Sequence, residues 1–375
     1  MQSRFSPHSV RRLQLCRYLA IRTVPGTTTL EYLDCPNDKE TATSAILTLR
    51  TLIGGISMAE YALVADVGGT RTRAALVSRS GEITAHHSTD TMPQRGRDAV
   101  MSKLAAALEH VASAKPAQIV GVGLSLASPV EPGTGVMYNP PNLGPEWDMY
   151  TPIPYLSERM SLPVFAGNDA TLGAAGEHAY GAGRGCSNMV YMTVSTGIGG
   201  GVIINDKLYT GTHGFGGEIG HMTIDQNGAL CNCGNVGCLE SLASGTALAV
   251  RARNWLRAGA HSDILDMSGG DIDAVNGRTI AEAAREGDAV ALSLMEGIAG
   301  HLATGVINLM HIFDPEVIVI GGGVGQNLDM FMPVIESEVK RRAMAHFKGA
   351  VPVAPSQLGD DVSLFGAAAL VFDAV

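Results

Sequence analysis

The stretch YALVADVGGTRTRAALV, residues 61–77, decides the fold. An apolar run from Tyr61 to Val67 meets Gly68-Gly69, and a second run follows from Thr72 to Val77. That pattern predicts a strand, a glycine turn and a returning strand. Ser80-Gly81 turns the chain again into a third strand, so the segment reads as a β-meander. Beyond it a helix is expected over Arg97–Ala114, with Val100, Leu104, Leu108 and Val111 on one face. The apolar run Ile119–Leu126 reads as a buried strand.

The pattern returns in the second half as VSTGIGGGVII, residues 194–204. Here Met189–Ser195 predicts a strand, Gly197–Gly201 a glycine turn and Val202–Asn205 the returning strand. Such a weak internal repeat predicts two related α/β halves facing each other across a cleft. Val317–Ile320 adds a buried strand running into Gly321-Gly322-Gly323, and Asp361–Val371 a closing helix. The expected organisation is a smaller α/β domain from residues 58–168 and 361–375, and a larger one from 169–360.

Length and composition agree with this outline. A chain of 375 residues can bury two cores. Its 46 glycines, without a collagen period, fit a turn-rich α/β protein. A net charge of −10 argues against general binding to nucleic acid or to an anionic membrane. No apolar run is read as reaching membrane-spanning length, so the body is expected to be soluble. Residues 1–57 differ, with seven Lys/Arg against four Asp/Glu. The reading preferred is a disordered extension, or an upstream start with Met58 as the natural one. An Arg-rich, acid-poor transit peptide is the second reading. A DNA-binding helix-turn-helix, with helices over Ser9–Ile21 and Lys39–Leu52, is the third.

Backbone N–H groups can cradle a phosphate where no Cβ keeps the chain away. Three segments qualify: Asp66–Thr70 (DVGGT), Ser195–Gly201 (STGIGGG) and Gly321–Gly325 (GGGVG). None is a Walker loop, and none is a dinucleotide fingerprint opening a helix, which disfavours an oxidoreductase. Asp66 adds a carboxylate that can hold Mg²⁺, often through water. Asn168-Asp169 lies between an apolar strand, Leu162–Ala166, and a small-residue helix, Ala170–Tyr180. Asp169 is the candidate proton acceptor for phosphoryl transfer, which otherwise needs mainly positioning and charge stabilisation. Asn168 beside it can hydrogen-bond a polyol.

The segment GEIGHMTIDQNGALCNCGNVGCLE, residues 217–240, carries His221, Cys231, Cys233 and Cys238. Three thiolates and an imidazole make a closed tetrahedral zinc site, which is structural because no coordination position stays open. If one ring nitrogen of His221 takes the metal, the other can bond a sugar hydroxyl. Glu218 and Glu240 bracket the cluster and suit the same hydroxyls.

Together these segments resemble the ROK family of repressors, open reading frames and kinases, over about Tyr61 to Ala374. The most specific part is GEIGH followed by C-x-C-G-x-x-G-C-L-E-S; LGDDVSLFGAAAL near the C-terminus also matches. The resemblance implies an α/β chain of the actin-like ATPase (ribonuclease H-like) fold, with the active site between two domains. It implies ATP with Mg²⁺, a structural Zn²⁺, and transfer of phosphate to the 6-hydroxyl of a hexose, foremost glucose, with Asp169 as general base. N-acetylglucosamine, N-acetylmannosamine, fructose and mannose are the alternative acceptors. Carried over by motif, Asp66, Gly68, Gly69, Thr70, Thr196, Gly197, Gly322 and Gly323 serve the nucleotide. Asn142, Asn168, Glu218, His221 and Glu240 hold the sugar. A cytoplasmic homodimer or homotetramer in carbohydrate metabolism, without nucleic-acid or membrane partners, is implied as well. The competing member of the family is a sugar-responsive repressor. The chain departs from the family at Ser128, where a glycine approaches the sugar, at Arg71, where Lys is usual, and at Gly167, where Glu is frequent.

Overall fold

The computed structural model describes residues 17–24, 27–34, 59–114 and 118–375. The chain divides into two units, Met1–Met58 and Ala59–Val375. In the first, β1 (Arg17–Val24) pairs antiparallel with β2 (Thr27–Asp34), in register from Arg17 opposite Asp34 to Val24 opposite Thr27. The helix expected over Ser9–Ile21 is therefore wrong from Arg17 onward. Clustered β-branched residues (Ile21, Thr23, Val24, then Thr27 to Thr29) favour extended chain over helix. The helix expected over Lys39–Leu52 lies outside the described residues, as does most of the proposed disordered extension.

In the second unit two sheets share one topology. β3 (Glu60–Val67), β4 (Arg71–Ser78) and β5 (Ile83–Asp90) form the meander, and β6 (Gln118–Leu126) and β7 (Val164–Asn168) extend it on the far side of β3. The order is β5-β4-β3-β6-β7. β8 (Met189–Val194), β9 (Ile198–Ile204) and β10 (Lys207–Tyr209) repeat the meander, with β11 (Val317–Gly321) and β12 (Val353–Pro355) beyond β8. That order is β10-β9-β8-β11-β12. In each sheet the meander is antiparallel and the two added strands are parallel. The weak repeat between residues 61–77 and 194–204 is thus the visible part of a repeat that runs through both sheets.

Both faces of each sheet are covered, so strands buried on two sides read as near-continuous apolar runs. In the first sheet Leu63, Ala65 and Val67 face helix α1 (Arg97–Ser113), while Ala62 and Val64 pack with residues of the closing helix. In the second sheet Tyr191 packs with α2 (Asp169–Tyr180), while Val190, Met192 and Val194 join the largest core. That core includes α3 (Ala289–Phe313) and α4 (Leu328–Arg342). Helix α3 has the length and apolarity to cross a bilayer, contrary to expectation. Leu294, Ile298, Leu302 and Val306 are instead buried in the core.

Chain order places α2 directly after the first sheet, although it packs on the second. The closing helix α5 (Val362–Ala374) follows the second sheet and packs on the first. The two helices press together. A Cβ on Gly366 would lie 1.9 Å from the Leu172 carbonyl oxygen, and one on Gly176 would lie 2.6 Å from that of Val362. Small residues at this crossing let the two sheets share a pair of touching helices.

The expected glycine turn Gly197–Gly201 proves shorter. Strand β9 starts at Ile198, so Gly199, Gly200 and Gly201 are strand residues. Their missing side chains leave room for Ala170, Ile219 and Ala174, whose atoms would lie within 2.7 Å of an added Cβ.

Candidate active site

The site forms where the glycine turns of the two meanders, the start of α2 and the Cys/His loop converge. Asp169 is the first residue of α2, with Asn168 as its N-cap. The Asn168 Oδ1 accepts from the Thr171 N–H at 3.0 Å and from its hydroxyl at 3.1 Å. Its Nδ2 donates to the Ser128 carbonyl at 3.0 Å and to the Asp169 Oδ1 at 3.1 Å. Asn168 therefore spends its hydrogen-bonding capacity within the protein, capping the helix and orienting the carboxylate. The Asp169 Oδ1 also accepts from the Ala170 N–H at 2.8 Å.

Enclosure of the Asp169 carboxyl raises its pKa from 3.8 to about 6, with the negative charge of Asp66 adding to the effect of burial. The helix N-terminus works in the opposite direction and does not win. A carboxylate tuned toward neutrality in a cleft suits a proton acceptor.

Asp66 lies opposite Arg73 across the β3–β4 hairpin. Its Oδ2 takes the Arg73 Nη2 at 2.8 Å and Nε at 3.2 Å, and its Oδ1 takes the Ser125 hydroxyl at 3.0 Å. Arg73 also reaches Asp361 at 3.0 Å, just before α5. Replacing Arg73 by Met leaves Asp66 uncompensated, and a bare like charge disfavours ionisation of Asp169 further. The acid limb of the pH–rate profile of Arg73→Met should move up by about 0.5–1 pH unit, with rates at pH 8 less affected than rates at pH 6. An unmoved limb would show that the two carboxylates do not interact.

The first turn is closed by Thr91, whose hydroxyl donates to the Gly68 carbonyl at 2.7 Å and whose N–H donates to that of Thr70 at 2.8 Å. Asn142 packs on Gly69, where a Cβ would fall 2.4 Å from the Asn142 Cβ. It lines a recess of 410 Å³ with Pro93, Gly96 and Glu146, so its place is beside the first turn. The second turn is held by the start of the Gly245–Arg257 helix: Gly245 N–H donates to Ser195, and the Thr246 hydroxyl donates to the Thr196 carbonyl at 2.8 Å. Gly322, at φ +86°, takes the left-handed conformation against Val194, a position that glycine alone occupies without strain. Ser195, Thr196 and Gly323 border a cavity of 780 Å³ that also includes Arg253, Asn276 and Arg285. Sequence reading missed these last three. Arg253 lies on the Gly245–Arg257 helix, and Asn276 and Arg285 are the N-cap and last residue of the Gly277–Arg285 helix, with no local motif to mark them.

In the Cys/His loop, the donor atoms of His221, Cys231, Cys233 and Cys238 lie within 4.8 Å of one another. The Cys231 Sγ is 3.7 Å from the His221 Nδ1, and the Cys233 and Cys238 sulfurs are 3.7 Å apart. Ligands about 2.0–2.3 Å from a tetrahedral zinc stand at close to such separations, so the donor set fits the ion. The His221 Nε2 points the other way and is 3.9 Å from Glu218. Glu240 ties this loop to the second turn: its Oε2 accepts from the Ile198 N–H at 2.9 Å, while its Oε1 is 3.9 Å from the Cys231 Sγ. A Cβ on Gly197 would sit 2.4 Å from that Oε2, so glycine is what lets the carboxylate in. Ser128 is buried, and its hydroxyl lies 3.0 Å from both the Tyr138 and Pro129 carbonyls. The side chain that stands in place of the family glycine is thus engaged inside its own loop.

The sequence model of the ROK family matches residues 62–374. The chain belongs to the ROK family. A glucokinase of Thermotoga maritima is 35% identical over 311 residues, covering 82% of this chain and 95% of that protein. A putative xylose repressor of a Caldicellulosiruptor species is 31% identical, covering 82% of this chain and 76% of the repressor. The crystal structure of a ROK family glucokinase from Streptomyces griseus, in complex with glucose and AMPPNP, superposes with a TM-score of 0.73 at 31% identity. That match covers 84% of this chain and 99% of the other. The twin sheets and this ROK match identify the actin-like ATPase fold.

Proposed function

We propose that this chain transfers the γ-phosphoryl group of ATP to the 6-hydroxyl of a hexose, with glucose as the foremost acceptor, giving the sugar 6-phosphate and ADP. The observation that carries the reading is Asp169: a carboxylate at a helix start, oriented by Asn168 and held near neutrality between two glycine turns. It accepts the proton of the sugar hydroxyl as that oxygen bonds to the γ-phosphorus and the bond to ADP breaks. Ser195, Thr196 and Gly323 border the cavity that would take the nucleotide, with Gly197 and Gly322 next to them in the chain, and the first turn, Gly68–Thr70, would meet the phosphates from the other sheet. Magnesium carried with the nucleotide would spread the phosphate charge, and Asp66, oriented by Arg73 and Ser125, is the carboxylate that would hold it, directly or through water.

Zinc on His221, Cys231, Cys233 and Cys238 would fix the loop and leave the His221 Nε2, with Glu218, for sugar hydroxyls. Glu240 and Asn142 complete the proposed sugar shell, and Asn168 would bond the sugar by exchanging one of its present partners, Ser128, Asp169 or Thr171. A cytoplasmic homodimer or homotetramer feeding carbohydrate breakdown accords with this chemistry.

A repressor is the second reading, motivated by the xylose repressor relative. The enclosed base and the large cavity beside the glycine turns favour the kinase, since regulation by a sugar alone requires neither. A coupled assay of ADP release over a panel of hexoses decides between them. Turnover with at least one hexose supports the kinase, and turnover with none sinks it.

A further inference from the structure

We infer that Glu177 is a positioning residue that locks the base-bearing helix α2 to the nucleotide turn at Gly321–Gly323. Glu177 lies two turns along α2 from Asp169 and is fully buried. A buried carboxylate is costly unless it is well hydrogen-bonded, and this one is surrounded by donors. The Ala182 N–H reaches its Oε2 at 2.7 Å. The Ser356 hydroxyl reaches its Oε1 at 2.5 Å, and the N–H groups of Gln357 and Leu358 reach the same oxygen at 3.1 and 3.2 Å. No Lys or Arg pairs with it among the described residues.

Those donors matter for where they sit. Residues 356–358 follow β12, on the path from the second sheet back to the first. The Ser356 N–H donates to the Ile320 carbonyl at 2.9 Å, one residue before Gly321. A Cβ on Gly321 would lie 2.9 Å from the Ser356 Cβ, so the serine is packed directly on the turn. Tyr191 of β8 wedges the same gap. Its ring lies 2.5 Å from a Cβ placed on Gly173 of α2, and its hydroxyl lies 2.7 Å from one placed on Gly321. The linkage Asp169–α2–Glu177–Ser356–Ile320 therefore spans from the proton acceptor to the turn bordering the nucleotide cavity, through one rigid helix and two hydrogen bonds. Proton acceptor and phosphoryl donor sit on opposite ends of it. A misplacement of about 1 Å between reacting groups can cost on the order of 100-fold in rate.

Glu177→Gln tests the linkage in the full chain. The amide keeps the shape, but its NH₂ must face either the Ala182 N–H or the Ser356 cluster, so one set of donors loses its acceptor. Ser356→Ala is the milder partner, because the carboxylate retains its backbone donors; it carries the test should Glu177→Gln fail to fold. We expect the Gln357 and Leu358 amides to exchange hydrogen about 10-fold faster in Glu177→Gln and, because their acceptor stays in place, faster by a smaller factor in Ser356→Ala. We also expect kcat to fall about 10-fold or more while KM for ATP and hexose stay within about 2-fold, and the double variant to be no worse than the more impaired single one. Unchanged kcat, a loss of kcat that merely follows a lowered melting temperature, or additive effects in the double variant would each overturn the proposal. The kinetic arm rests on the kinase reading, whereas the exchange arm does not. If the wild type phosphorylates no hexose, that reading fails alone, and unchanged exchange at residues 357–358 would still overturn the linkage.

Discussion

Asp169→Asn is expected to lower kcat by about 10²–10⁴-fold, the usual worth of a positioned general base, while making the folded chain more stable at pH 8. The amide keeps an oxygen for the Ala170 N–H and the Asn168 Nδ2, so helix and cap persist. What disappears is the ability to accept a proton. The stability change follows from the raised pKa, about 6 against an ordinary 3.8. Below about pH 4 the carboxyl is protonated in folded and unfolded chains alike. Between about 4 and 6 the folded chain holds a proton that the unfolded chain has released. Above about 6 both are ionised, and the folded chain bears the full cost of the enclosed charge. Stability from this group is thus present at low pH and lost as pH rises through about 6.

The amide side chain of the variant carries no charge at any pH and escapes that cost, which is about 1–3 kcal/mol for a group still partly open to the cleft. Urea unfolding at pH 8 and pH 5 checks it: the variant should gain at pH 8 and gain less at pH 5. In the wild type, kcat/KM should climb through a half-point near pH 6. Turnover within 10-fold of wild type in Asp169→Asn would remove the residue from its assigned role.

How far such features can be read from sequence depends on how far apart their parts lie. The meander is local, with β3, its turn and β4 inside residues 60–78, and it is legible at once. The Cys/His loop is equally local, its four candidate ligands lying between residues 221 and 238. Arg73 is within reach too. Counting outward from the Gly68-Gly69 turn sets it opposite Asp66, and opposite charges at facing positions are a standard cross-strand pair. By contrast, Glu177 meets Ser356 across 179 residues, and Arg73 meets Asp361 across 288. Neither pair leaves a spacing to recognise. The three glycines after Ile198 mislead for another reason. Glycine marks turns and close approaches alike, and here α2 and Ile219, not a phosphate, claim the room at Gly199–Gly201. The helix offered over Ser9–Ile21 fails from Arg17 onward because the β-branched residues after Ala20 favour the extended chain that forms.

Cysteine loss in the Cys/His loop should reach the sugar without touching it. In Cys231→Ser or Cys238→Ser, zinc measured after exhaustive dialysis should drop well below about one ion per chain, since the site loses one of its three thiolates. Cys238 directly precedes the Leu239–Ala243 helix that carries Glu240, and Glu240 in turn grips the Ile198 N–H beside the second glycine turn. Without a metal the loop keeps backbone hydrogen bonds such as Ile224 N–H to Gly237 and Cys231 N–H to Asn235, but nothing then draws the four donor side chains together, and Leu230 at its tip is largely exposed. The His221 ring then loses the bond that aims its Nε2 toward Glu218. Hexose affinity should fall about 10- to 100-fold, the range seen when groups that orient ligands at a metal centre are removed. ATP affinity should change far less, because the 780 Å³ cavity is built from Ser195, Gly245, Asn276 and Gly323 outside the loop. Isothermal titration with each substrate separates the two effects. Loss of zinc with unaltered hexose affinity would detach the metal from the sugar site and leave it a purely structural role. Equal losses for hexose and ATP would mean that the cluster supports the whole second sheet, and the aim of a single histidine would then explain nothing.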